Sequence, residues 1–157
     1  MKNARTGRVR MTCIIDASVY VPLVLTFGKK LVKAFKKTKI VLLDLTVYEA
    51  CNAFWKGHVK LNMISKDEAL AACTAARMLA KHATVYKIGD LNVEETMKIA
   101  VENNITFYDA SYISLEILVK APIASEDEDI LEVAPKYNVR VMRLEEVKRV
   151  LEKQAQQ

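Results

Sequence analysis

Three aspartates stand at matching places in this chain. Asp16 closes "CIID", Asp109 closes "ITFYD" and Asp127 closes "PIASED". Each comes where a short apolar run gives way to a helical pattern. Glu49 belongs with them by another route, about one turn into the helix that follows the run "IVLLD". Side chains on a helix lean toward its N-terminus, so a glutamate there reaches back to the strand end. Carboxylates gathered at one place repel one another strongly unless a cation sits among them. Hard oxygen donors of this kind suit Mg²⁺ or Mn²⁺ rather than zinc. Each acid also has an ordinary reading. An aspartate at a helix N-cap stabilises by ~1 kcal/mol, and a glutamate in a first turn is favoured by the helix dipole. Asp44, which ends "IVLLD", is read as such a cap. Asp127 sits in the run Glu126-Asp127-Glu128-Asp129, where Asp129 is the alternative register.

The elements that must position these acids are legible as an alternation. "TCIID", "IVLLD", "ATVYKI", "APIAS" and "VRVMR" read as strands, and "NITFYD" as a further apolar run. Between them lie helical patterns. "ASVYVPLVLT" is broken near Pro22 or ends by Gly28, and "KKLVKAFKK" has Leu31, Val32 and Phe35 on one face. "TVYEACNAFWKGH" is expected to end at Gly57. Ser65 with Glu68, and Asn92 with Glu95, have the spacing of capping boxes. Strands alternating with helices predict an α/β domain with a central parallel sheet flanked by helices. All strand carboxyl ends then share one edge, and ligands bind in the crevice outside it. Residues 1–10 are expected to form a flexible basic arm, and residues 11–157 a single domain.

Composition limits the alternatives. The chain has 157 residues, 52% of them hydrophobic, enough for a core without disulfides or a structural metal. No apolar run approaches the ~20 residues of a membrane helix. Three cysteines, Cys13, Cys51 and Cys73, stand far apart in apolar contexts, which reads as buried thiols in a reducing cytoplasm. The two histidines stand alone, so neither a zinc site nor His-based acid–base chemistry is supported. The net charge of +5 is uneven: residues 1–39 hold ten Lys/Arg and one acid. Such asymmetry suits a polyanionic partner. Lys29, Lys30 and Lys33, with Lys36 and Lys37, offer either phosphate contacts or the solvated back of an amphipathic helix. Tyr108 and Tyr112 offer base stacking or core packing.

The stretches "IIDASV", "LTVYEACNAFWK", "YDASYISLE" and "ASED", in this order over residues 13 to 129, resemble the PIN-domain ribonucleases. The similarity is greatest to the VapC-type toxins of VapBC toxin–antitoxin pairs. The resemblance implies a PIN-like (Rossmann-like) three-layer fold. It implies that Asp16, Glu49, Asp109 and Asp127 form the metal site, with Ser18, Asn52 and Ser125 positioning substrate. Ser125 stands where the family usually has threonine. The implied activity is Mg²⁺- or Mn²⁺-dependent hydrolysis of single-stranded RNA or tRNA, in a cytoplasmic homodimer held by a VapB-like antitoxin. A module that only binds RNA or protein is the alternative. A phospho-receiver domain also places aspartates at strand ends. It wants an acidic pair on the first strand and a lysine after a late one, and this sequence offers neither.

Overall fold

Side chains alternate across the central strand, and that alternation builds two cores. On β1 (Thr12–Ile15), Cys13 and Ile15 enter one core while Ile14 enters the other. On β2 (Lys39–Leu43), Ile40 and Leu42 share the first core, Val41 and Leu43 the second. Period-two alternation buried on both faces is the signature of a sheet covered on both sides. The computed structural model describes residues 11–156, and the arm expected over residues 1–10 lies outside the described residues. With β3 (Thr84–Tyr86), β4 (Ile123–Ala124) and β5 (Val141–Met142), the strands form one sheet in the order β3-β2-β1-β4-β5. Every pairing is parallel.

On the first face pack α1 (Ala17–Phe27), α2 (Val32–Lys37), α3 (Asp44–Val59), α4 (Lys66–Ala80) and α8 (Leu144–Gln156), through Leu23, Phe35, Phe54, Leu79 and Leu151. On the second pack α5 (Val93–Asn103), α6 (Phe107–Val119) and α7 (Glu128–Val133), through Ile99, Ile113, Leu115 and Ile130. The result is the three-layer α/β architecture that the alternation predicts. No described helix is long and apolar enough to cross a membrane.

Several local expectations are corrected. "NITFYD" carries no strand: Asn104 ends α5 in the left-handed conformation, and Thr106 already caps α6. Only Asn104, Ile105 and Thr106 are left between the helices. Gly57 does not end α3, which runs on to Val59. A Cβ on Gly57 would lie 3.4 Å from Ile64 Cδ1, so the glycine admits a close neighbour instead. Pro22 stays inside α1, and the helix stops at Gly28, whose φ of 50° lies in the glycine-favouring region. The lysine-rich stretch after it splits into a 3₁₀ turn, Gly28–Leu31, and the short α2. Ser65 and Glu68 complete their box, whereas Asn92 only accepts from the Glu95 N–H. The cysteines are the largest correction. α3 packs on α4 and brings Cys51 and Cys73 within 5.3 Å between Cα atoms, joined as a disulfide. Only Cys13 remains a free buried thiol. An odd count leaves one thiol over, but helix packing decides which two meet.

Candidate metal centre

The sheet reverses its winding between β1 and β4: β2 and β3 lie to one side, β5 to the other. The crevice at such a switch point is where open α/β sheets bind ligands. Asp16 leaves β1 there, and Ser125 to Asp127 leave β4 beside it.

Asp16 is 3% exposed and firmly held. Its Oδ1 accepts from the Ser18 hydroxyl at 2.6 Å and the Val19 N–H at 3.2 Å. Its Oδ2 accepts from the Ser125 hydroxyl at 2.6 Å. It therefore caps α1 and is also tied across to β4. The Ser125 oxygen accepts in turn from the Asp127 N–H at 3.0 Å, and the Ser18 oxygen from the Glu126 N–H at 2.8 Å. Burial raises the Asp16 carboxyl above its ordinary range, while the two serine hydroxyls pull it back down.

Glu49 sits in α3 and reaches the same place. Burial first, then the charge on Asp16, push its carboxyl up to about 7, with Asp109 and Asp127 adding to the lift. The Tyr112 hydroxyl lies 3.4 Å from Glu49 Oε2 and opposes the shift. That hydroxyl is also 2.9 Å from Thr46 Oγ1. Asp109 is not the cap of its helix. Thr106 is, and its hydroxyl donates to Asp109 Oδ2 at 2.5 Å while accepting the Asp109 N–H at 3.1 Å. Burial raises the Asp109 carboxyl, and the charges of Asp127 and Asp129 raise it further against the Thr106 bond. Asp127 caps α7, accepting from Asp129 N at 2.9 Å and Ile130 N at 3.3 Å.

The four sequence candidates thus converge, and Asp129 comes with them. Asp109, Asp127 and Asp129 each present a carboxylate oxygen within 4.8 Å of the others. Both Asp127, expected as the fourth acid, and its alternative Asp129 lie beside Asp109. Asp44 is the first residue of α3 rather than its cap, a position that Leu43 holds. Asn52 is exposed one turn beyond Glu49, with no hydrogen bond among the described residues. Lys29, Lys30 and Lys33 are exposed beyond the far end of α1. Eleven residues at 1.5 Å each put about 16 Å of helix between them and Asp16. Of the two tyrosines, Tyr112 is 2% exposed and Tyr108 58%. Sequence reasoning missed Tyr112 as the orienter of Glu49 and Thr106 as the partner of Asp109. The signals were present: Tyr112 lies one helical turn past Asp109, and Thr106 three residues before it.

The carboxylates offer hard oxygen donors, and Glu49 is raised by burial first and then by the neighbouring acids, so the donor set fits a divalent cation of the Mg²⁺ type. No protein-family model matches the sequence. Exonuclease VapC9 of Pyrobaculum aerophilum is 30% identical over 119 residues, covering 75% of this chain and 82% of that protein. Ribonuclease VapC3 of the same organism is 26% identical over 93 residues, 59% of this chain and 70% of that one. The crystal structure of PAE2754 from P. aerophilum superposes with a TM-score of 0.68 at 26% identity, covering 94% of this chain and 91% of the other. PAE2754 shares the fold across nearly the whole chain, and VapC9, by its identity and coverage, places this protein in the VapC family of PIN-domain proteins.

Proposed function

We propose that the protein is an endoribonuclease that hydrolyses phosphodiester bonds of single-stranded RNA or tRNA. Asp16, Glu49, Asp109 and Asp127 would hold one or two Mg²⁺ or Mn²⁺ ions, with Asp129 at the rim. The observation that carries this reading is the convergence of these carboxylates at the switch point, with Glu49 lifted to about 7. Two relatives named as nucleases support it. A cation held by these acids would supply the means to activate a water and to offset charge on the phosphate.

The chain's own groups have separate tasks. The serine hydroxyls fix Asp16 in one orientation, so a cation meets a preorganised carboxylate. Tyr112, steadied by Thr46, aims Glu49. With its carboxyl lifted to about 7, Glu49 would give up a proton to let a cation bind. Ser18, Ser125 and the exposed Asn52 are the groups left to position substrate. In this reading the protein works in the cytoplasm and is held by a VapB-like antitoxin. A homodimer is supported by Val93, Met97 and Val101, exposed at four-residue spacing along α5.

The test is cleavage of a labelled single-stranded RNA with Mn²⁺, comparing the natural protein with Asp109→Asn. Asparagine still accepts from Thr106, so the fold should survive. Cleavage lost in the variant and in EDTA, with little change in melting temperature, is the expected result. Equal cleavage by both proteins, or cleavage that persists in chelator, would overturn the proposal.

A further inference from the structure

Resting on the reading of the acid cluster as the place where RNA is cut, we propose that the cavity beside it holds the base of a nucleotide flanking the scissile phosphate, and that Asp44 favours bases bearing an amino group.

The cavity encloses about 240 Å³ between the first turns of α3 and α6. Tyr48 and Tyr108 form its walls, with Leu43, Leu91 and Phe107 behind them. Tyr48 immediately precedes Glu49, and Tyr108 immediately precedes Asp109. Cavity and acid cluster are therefore built from the same two helix turns. A strand whose phosphate lies over the acids has a neighbouring base within reach of the tyrosines. Tyr48 is 77% exposed and Tyr108 58%, so core packing accounts for neither ring. Flat, half-wet aromatic faces beside an apolar floor suit a stacked base.

Asp44 supplies the charged group of the lining, where Ser111 spends its hydroxyl on the Phe107 carbonyl. Its Oδ1 accepts from the Leu45 N–H at 2.8 Å, and its second oxygen has no partner among the described residues. A carboxylate oxygen only accepts. It pairs with the exocyclic amino group of adenine, cytosine or guanine. Uracil presents one donor between two carbonyl oxygens, which the carboxylate repels.

The experiment measures binding of fluorescein-labelled RNA nonamers to the natural protein in EDTA by anisotropy. The probes are all-adenine, all-cytosine, all-uracil and abasic strands. Adenine and cytosine strands should bind more tightly than uracil strands, and the abasic strand should lose on the order of tenfold. Tyr48→Ala combined with Tyr108→Ala should bring the adenine strand down to the abasic level. Asp44→Asn should narrow the gap between adenine and uracil. Adenine binding unchanged in the double variant, or no RNA binding by the natural protein, overturns the proposal. So does a double variant that turns a dimer into a monomer with RNA affinity intact, because a second copy then covers the cavity. Cleavage with Mn²⁺, run in parallel, separates the two readings. Cleavage without base dependence sinks the cavity alone, and base-dependent binding without cleavage sinks the nuclease alone.

Discussion

Glu49→Gln should abolish cleavage and yet make the metal-free protein more stable above neutral pH. An ordinary glutamate titrates at 4.5, and Glu49 is lifted to about 7 by burial and by the charges of Asp16, Asp109 and Asp127. Between those values the folded protein keeps a proton that the unfolded chain has released. Stability therefore falls as pH rises through that window. Below 4.5 the carboxyl is protonated in both states and its charge costs nothing; above about 7 the cost is complete. The lift, 7 − 4.5, corresponds to about 3.4 kcal/mol at 1.36 kcal/mol per pH unit. Glu49 is only half-buried, and screening by water reduces this to roughly 1.5 kcal/mol. Glutamine keeps the shape and an acceptor for Tyr112 while removing the charge. In a chain of this size the variant should melt about 3–6 °C higher than the natural protein. The assay is thermal melting in EDTA at pH 8.5 and again at pH 4, where the two proteins should melt together. A variant that melts at or below the natural protein at pH 8.5 would refute the idea that the acids crowd one another.

Other expectations concern separate parts of the molecule. Mn²⁺ binding near pH 6.5 should release a proton, seen in calorimetry as a heat that varies with the buffer, and Glu49→Gln should remove that dependence. Reducing the Cys51–Cys73 bond, which closes a loop of 22 residues, should cost about 3 kcal/mol and lower the melting temperature by roughly 6–12 °C. The pair Cys51→Ala and Cys73→Ala should make the melt indifferent to reductant. Replacing Lys29, Lys30 and Lys33 with Gln should leave the cleavage rate of a short RNA unchanged, because α1 separates them from the acids. A fall of tenfold would place them on the substrate. Phe54→Ala empties a fully buried position and should cost about 3–5 kcal/mol, read as a lowered denaturant midpoint.

The layers and the acids were legible for different reasons. "CII" and "IVLL" are apolar throughout because both faces of these strands are buried, so the central strands announce themselves. Asp16 and Asp127 were legible because parallel strands share one edge, which makes sequence-distant carboxylates neighbours, whereas Asp109 reaches them from the first turn of α6. "NITFYD" misled because a short apolar run does not distinguish a strand from the first turn of a buried helix. There the left-handed Asn104 and the capping Thr106 decide. Tyr112 on Glu49, and Cys51 on Cys73, depend on how one helix lies against another. That angle is set by whole packed surfaces, which no local window of sequence contains.

The position of β1 between β2 and β4 has a consequence for how the protein is made. The hydroxyl that locks Asp16 belongs to Ser125, 109 residues later in the chain. A ribosome therefore makes Asp16 and Glu49 long before β4 and the Ser125 that follows it. Until β4 arrives, β1 has one open edge and Asp16 lacks the Ser125 hydroxyl. A translation product that ends between residues 110 and 120 carries three of the four acids but lacks both Ser125 and Asp127. Activity that depends on this centre is thus withheld from copies that end before β4, a safeguard written into strand order.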